Sequence, residues 1–449
     1  AGPMLHAMDT KTALTTLTLG DALDSAIRRY RAANPHSERL QARAAEVMPG
    51  GNTRSVLFYP PFPLYMASGA GCRLRDVDGH DYLDALGEFT AGLFGHSDPV
   101  IRRAIDAALD RGLNLSSHTP GEAALAHEIR RRFPAMELLR FTNSGTEANL
   151  LALAAATTHT GRHKVMVFEG AYHGGVLTFG AGSASVNVPH EFVRVAYNDL
   201  AAARDAVMRH GRELAAILVE PMLGSGGCIP GTPEFLHGLR ALADDCGALL
   251  VFDEVMTSRL SIGGRQALLG IGPDLTTLGK YFGGGMSIGV FGGRAELIAR
   301  FDPRRADALG HAGTFNNNVL TMAAGLAGLT DVLTAPALAA VNQRGERLRE
   351  RLNALFAERG VALQVSGLGS LMTLHASART LRCAADLAGI DPRVKELIFF
   401  DLLERGIWMA RRGFMALSLP FGDAEVDELV AAMADVVDAR RELLPGRGA

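Results

Sequence analysis

The chain has 449 residues, 48% hydrophobic and 21% charged, with a formal net charge of −3. That length exceeds what one hydrophobic core usually serves, roughly 250–300 residues; the near-balanced charge argues against nucleic acid or an anionic membrane as partner. The four cysteines (Cys72, Cys228, Cys246, Cys383) form no CxxC pair and have no histidine at zinc-ligand spacing, so no metal site is expected and a reduced, cytoplasmic protein is the simplest reading.

Ala1-Gly2-Pro3-Met4 reads as a cleavage scar before a native start, and the residues after it lack the basic-then-apolar layout of a signal peptide. Residues 20–48 are predicted as one helix, with Leu23, Ile27 and Tyr30 at helical spacing, stopped by Pro49-Gly50-Gly51. A small β-meander follows, in which Leu74–Val77 and Asp81–Leu83 flank the turn dipeptide Asp78-Gly79.

From residue 97 to 340, short apolar runs alternate with helical segments: residues 138–141, 165–168, 216–219, 248–252, 275–278 and 288–291. Runs without polar alternation suit strands covered on both faces, so this part is predicted as α/β, a mostly parallel sheet flanked by helices. Residues 319–335 contain glycine, threonine and aspartate among the alanines and read as a core helix, not a membrane span. Helices are then expected over 341–358 and 424–443, with short strands near 367–374 and 415–418. The predicted organisation is a large domain over residues 97–340 and a smaller α+β domain over residues 341–449. Residues 1–96 supply the smaller domain with an N-terminal helix and the meander. The cleft between the two is the default ligand site.

The chemistry concentrates at three places. Thr142 to Asn149 (TNSGTEAN) follows a predicted strand and opens an apolar helix, where free backbone N–H groups, hydroxyls and the helix dipole form a phosphate cup; the same serine and threonine equally suit a helix N-cap. Neither GxxxxGK[ST] nor GxGxxG is present, so a nucleotide phosphate has no support. Asp253 ends the run 248–252, at the strand end where open α/β sheets bind ligands. A carboxylate there can keep a pyridine nitrogen protonated, although it can also cap the next helix. Lys280 ends the run 275–278 and precedes Gly283-Gly284-Gly285, which lets backbone pass close to a ligand; taken alone, a lysine is more often a solvated surface residue. The order of cup, strand-end aspartate and strand-end lysine along one sheet edge is what joins them.

Phe141 to Asn149, Ala171 to Gly174 (AYHG), Val251 to Val255 (VFDEV), Leu278 to Gly285 (LGKYFGGG) and Gly313-Thr314 resemble the class III aminotransferases of fold type I. The chain is most similar to the β-amino acid branch, exemplified by β-phenylalanine aminotransferases, and is related to glutamate-1-semialdehyde aminomutases. The likeness runs from about residue 45 to 440. It implies pyridoxal 5'-phosphate as cofactor, bound to Lys280 as a Schiff base, with Ser144, Gly145 and Thr146 on its phosphate. It further implies Tyr172 and Val255 on the two ring faces, Asp253 on the pyridine nitrogen and Glu220 in a supporting network. Thr314 is implied to reach the cofactor of the other subunit in a homodimer, and His173 is left without a role. Gly285 is followed by Met286-Ser287, where many class III members have proline at the second position, a change confined to a loop.

The implied reaction is a ping-pong transfer of the amino group of a β-amino acid, such as 3-amino-3-phenylpropanoate, to 2-oxoglutarate or pyruvate. Two arginines stand where the resemblance places the active site, and a guanidinium fork binds carboxylate bidentately. Arg54 is expected on the β-amino acid carboxylate and Arg412 on the acceptor's. An aminomutase is the first alternative; Arg412 ahead of Gly413-Phe414 argues against it, since an acidic residue is expected there in that group. The second alternative, a DNA-binding regulator that senses the cofactor, needs a second helix ahead of the meander for a helix-turn-helix, and none is predicted.

Overall fold

The computed structural model describes residues 17–180 and 186–448; the expected cleavage scar lies outside them. The single helix predicted over 20–48 is instead two, Leu19–Ala33 and Pro35–Ala45. Asn34 between them leaves the helical region (φ −127, ψ 50), because the Pro35 ring disfavours helical backbone in the residue before it while suiting the first position of the next helix. A second helix therefore does precede the meander, contrary to the expectation. Asn34 alone joins the pair, a connection shorter than the three- or four-residue turn of a helix-turn-helix.

Seven strands form the central sheet, in the order Leu138–Thr142, Gly289–Gly293, Leu275–Gly279, Leu249–Asp253, Leu214–Val219, Lys164–Phe168, Glu191–Val195. Gly289–Gly293 runs antiparallel to both its neighbours, and the remaining pairs are parallel. Every residue of Leu214–Val219, Leu249–Asp253 and Leu275–Gly279 is buried, which is why these segments read as unbroken apolar runs. The edge strand Glu191–Val195 was not predicted, since Glu191 and Arg194 interrupt its apolar run and face solvent. The parallel direction brings the ends of four strands, one closing on Asp253 and the others followed by Ser144, Glu220 and Lys280, to one edge of the sheet.

The meander strands Met66–Ala70, Arg73–Asp76 and Asp81–Asp84 are antiparallel, and Ile407–Trp408 from near the chain's end pairs parallel with the last of them. The strand expected at 367–374 is a hairpin, Gln364–Leu368 and Leu371–His375, turning at Gly369 with φ 54; Phe414–Ala416 joins it as third strand. Helix Pro392–Glu404 was not predicted, and Leu397 through Leu403 are all buried, so no polar face marks its period. Val319–Ala327 continues into a π-helical turn, Gly328–Val332. No single helix among the described residues is long and apolar enough to cross a membrane.

Candidate active site

The segment read as a cup is the turn where Leu138–Thr142 meets helix Gly145–Thr160. Ser144 is the helix N-cap, its hydroxyl accepting from the Glu147 N–H at 3.2 Å, so capping and lining the cleft are roles of the same residue and not alternatives. The Glu147 carboxylate accepts from the Asn143 N–H at 2.8 Å, which fixes the turn. Two glycines are required sterically. A Cβ on Gly145 would lie 3.0 Å from Val255 Cγ2, and one on Gly289 in the adjacent antiparallel strand would lie 1.9 Å from the Ser144 carbonyl oxygen.

Asp253 is buried at the end of its strand. Its Oδ1 accepts from the Val255 N–H at 3.0 Å, while Oδ2 accepts from Asn149 Nδ2 at 2.9 Å and pairs with His173 Nδ1 at 2.8 Å. Asn149 is itself held by the Thr277 hydroxyl, which donates to its Oδ1 at 2.8 Å. The carboxylate is thereby aimed by three donors. His173, without a role from sequence, is one of them: Nδ1–H donates to Asp253, leaving the buried Nε2 with no protein partner among the described residues. Asn149 was missed as a functional residue, although a buried polar side chain amid apolar helix neighbours is a readable signal.

Lys280 begins the turn Lys280–Gly283 immediately after its strand, with left-handed backbone (φ 57) that costs of order 1 kcal/mol for a residue other than glycine. Burial, and then the nearby Arg54 charge, hold its amine below the ordinary lysine range, favouring the neutral, nucleophilic form. Glu220 is buried, accepting from the Tyr172 N–H at 2.9 Å and the Gly224 N–H at 3.2 Å; burial pushes its carboxyl up to about 7. Tyr172, Val255, Asp253, Lys280 and the cup line one cleft of about 600 Å³ together with Arg54 and Glu88.

The two arginines converge on one ring. The Arg54 guanidinium carbon lies 5.9 Å from the centre of Phe89, and that of Arg412 lies 5.4 Å from it. Arg54 pairs with Glu88 at 2.5 Å, whereas Arg412 donates to the Ser225 hydroxyl at 2.8 Å and has no carboxylate partner among the described residues. Burial lowers the Arg412 pKa, the signature of a cation short of an anion. Glu88, Phe89 and Thr90 all have positive φ (49, 51 and 84). Arg259, fully buried, ties this strained turn down by donating to the Thr90 and Leu417 carbonyls and the Ser370 hydroxyl. Nothing in the sequence announces a left-handed Glu-Phe-Thr turn, so Glu88 and Phe89 were missed. Thr314 is exposed and lies away from this cleft, in a groove with Asn114–Thr119 and Phe315.

The profile of the family described as Aminotransferase class-III matches residues 58–437. Beta-phenylalanine transaminase of Variovorax paradoxus is 54% identical over 432 residues, 96% of this chain and 99% of that protein. A crystal structure of a beta-phenylalanine aminotransferase from the same organism has a TM-score of 0.94, covering 96% of this chain and 100% of that one. A glutamate-1-semialdehyde-aminomutase from Pseudomonas aeruginosa PAO1 is more distant, 26% identical with a TM-score of 0.87, over 95% of this chain and 98% of its own.

Proposed function

The chain belongs to the class III aminotransferases, enzymes that use pyridoxal 5'-phosphate, and from that premise we propose that it moves the amino group of a β-amino acid, such as 3-amino-3-phenylpropanoate, to 2-oxoglutarate or pyruvate. The observation that carries the proposal is the convergence, in one cleft, of an anion cup, a strand-end carboxylate aimed by three donors, a buried amine held below the ordinary lysine range and Arg54, whose guanidinium shares the Phe89 ring with that of Arg412.

The residues present fit the cofactor. Gly145 and Gly279 keep clear the space beside Val255 that a Cβ would fill, and the helix N-terminus at Ser144, Gly145 and Thr146 offers donors to a phosphate. In this reading Tyr172 and Val255 cover the ring faces, Asp253 keeps the ring nitrogen protonated, and Glu220 fixes the backbone of Tyr172. When bound, the cofactor supplies an aldehyde that takes up the donor's nitrogen and a protonated ring that accepts the electron pair released at the donor carbon. Lys280 holds the cofactor between turnovers. Once displaced, its neutral Nζ takes the proton from the donor's reacting carbon and returns it on the cofactor side. Water supplies the oxygen with which the donor leaves as a keto acid while its nitrogen is retained, and the acceptor takes up that nitrogen and returns the water by the reverse sequence.

Arg54 holds the β-amino acid carboxylate, which displaces Glu88, and Arg412 receives the acceptor's carboxylate. Arg54→Ala is expected to raise KM for the β-amino acid about tenfold and leave that for 2-oxoglutarate unchanged; Arg412→Ala is expected to do the converse. Steady-state kinetics with each substrate varied checks both, and equal shifts in the two KM values would contradict the division of roles. Nitrogen transfer to added 2-oxoglutarate also separates this activity from an aminomutase, which moves nitrogen within one molecule.

Residues 97–340 form the cofactor domain in this account, and residues 1–96 and 341–449 the smaller one, supported by the pairing of Asp81–Asp84 with Ile407–Trp408. The working unit is a homodimer in which Thr314 serves the other subunit's phosphate. Its exposure, away from the cleft of its own chain, supports that role.

A further inference from the structure

Resting on that reading of the cup, we propose that Arg140, His311, Asn316 and Asn143 form a polarised hydrogen-bond relay that turns the Asn143 amide N–H toward the cofactor phosphate and makes Asn143 a further donor to it. Arg140 lies on the strand leading into the cup, and its Nε donates to His311 Nδ1 at 2.8 Å. A guanidinium has hydrogens but no lone pair, so Nδ1 must be the acceptor nitrogen of the ring. With Nδ1 accepting, the ring carries one hydrogen, and burial and then the Arg140 charge hold its pKa down against the opposing Glu147. The ring hydrogen therefore sits on Nε2. The ring is steadied by edge contacts with Phe291 and Phe301, at 5.4 and 6.2 Å.

The next link follows from that tautomer. As placed, Asn316 Nδ2 lies 3.2 Å from His311 Nε2 and Asn143 Nδ2 donates to Asn316 Oδ1 at 3.1 Å. Oxygen and nitrogen of an amide are told apart by their partners, not by shape. With hydrogen on Nε2, Asn316 must present Oδ1 to the histidine and Nδ2 to Asn143; the opposite orientation sets two donors face to face. Asn143 then accepts through Oδ1, and its own Nδ2 hydrogens are left for the cleft, which Asn143 lines. The backbone N–H of Asn143 is already committed to Glu147, so the side chain is the group with hydrogens to offer. Gly313 makes room for the relay, since a Cβ there would lie 2.3 Å from the nearest atom of the Asn316 carboxamide. Gly313 also precedes Thr314, so one asparagine ties the cup to the loop that carries that threonine.

The test compares binding of pyridoxal 5'-phosphate with that of pyridoxal, which lacks the phosphate, to apoprotein made from the whole chain. Asn316→Asp still accepts from His311 but cannot donate, so Asn143 must donate to it and present an oxygen to the cleft. We expect about tenfold or greater weakening for pyridoxal 5'-phosphate, the worth of one hydrogen bond to a charged group, with pyridoxal affinity unchanged. Asn143→Ala should show the same phosphate-only loss. Equal losses for both ligands, or none, would overturn the relay. A wild-type chain that fails to prefer the phosphorylated ligand would instead sink the cup reading itself. Neutron diffraction from the unaltered holoenzyme keeps the proposal testable if the variants do not fold: deuterium on His311 Nε2 and an Asn143 Nδ2 facing the phosphate are expected, and deuterium on Nδ1 or an oxygen facing the phosphate contradicts it.

Discussion

Lys280→Ala should end multiple turnover, with kcat falling by at least about 10⁴-fold, the upper range of a positioned acid–base group, because in the proposed mechanism the same amine holds the cofactor and moves the proton. Its placement leaves no understudy among the described residues. Lys280 reaches the cleft from a left-handed residue at a strand end, in a burial that favours the neutral amine. Of the other two described lysines, Lys164 lies on a strand and pairs with Glu213, and Lys395 donates to the Arg412 carbonyl at 2.8 Å. The variant should still bind pyridoxal 5'-phosphate through the cup, so a folded, cofactor-loaded and inactive protein is the expected result. Absorbance of the dialysed variant and a coupled amino-transfer assay measure the two properties; sustained turnover would refute the assignment.

Asp253→Asn should lower kcat by about 10²–10³-fold, the usual worth of one preorganised electrostatic contact to charge developing in the transition state. An amide cannot hold a proton on the ring nitrogen, so the ring loses its capacity as an electron sink. The change is nearly isosteric, but Asn149 Nδ2 and His173 Nδ1 both address Oδ2 and Val255 N–H addresses Oδ1, so a new amide hydrogen meets a donor whichever way it turns. Some loss of stability is therefore expected as well, and thermal melting separates it from the catalytic effect. Single-turnover rates on cofactor-loaded protein are the direct readout, and a decrease below about threefold would contradict the role.

The parts of the site that were legible in sequence are those tied to strand ends. Buried parallel strands write themselves as apolar runs, so Asp253 and Lys280 could be placed on one edge before any coordinates. The candidate cup was legible because small residues between a strand and a helix suit both an N-cap and an anion, and Ser144 serves as the cap while lining the cleft. What the sequence hid depends on backbone or tertiary geometry. The left-handed turn Glu88-Phe89-Thr90 has no glycine to announce it after Gly87, yet it sets the ring shared by Arg54 and Arg412. Likewise, His173 and Asn149 gained roles only when their helix and loop were brought to Asp253. The break at Asn34 has a sequence signal in Pro35, but helical apolar spacing continues on either side of it and masks the interruption.

Reductive trapping tests the central claim most directly. Lys11, Lys164, Lys280 and Lys395 are the chain's four lysines, so borohydride reduction of the holoenzyme followed by peptide mapping gives an unambiguous label. Lys395 is a demanding control, because burial pushes its amine down to about 8. The label should fall on the peptide containing Lys280 alone; a label on Lys395 or another lysine, or none, would contradict the account.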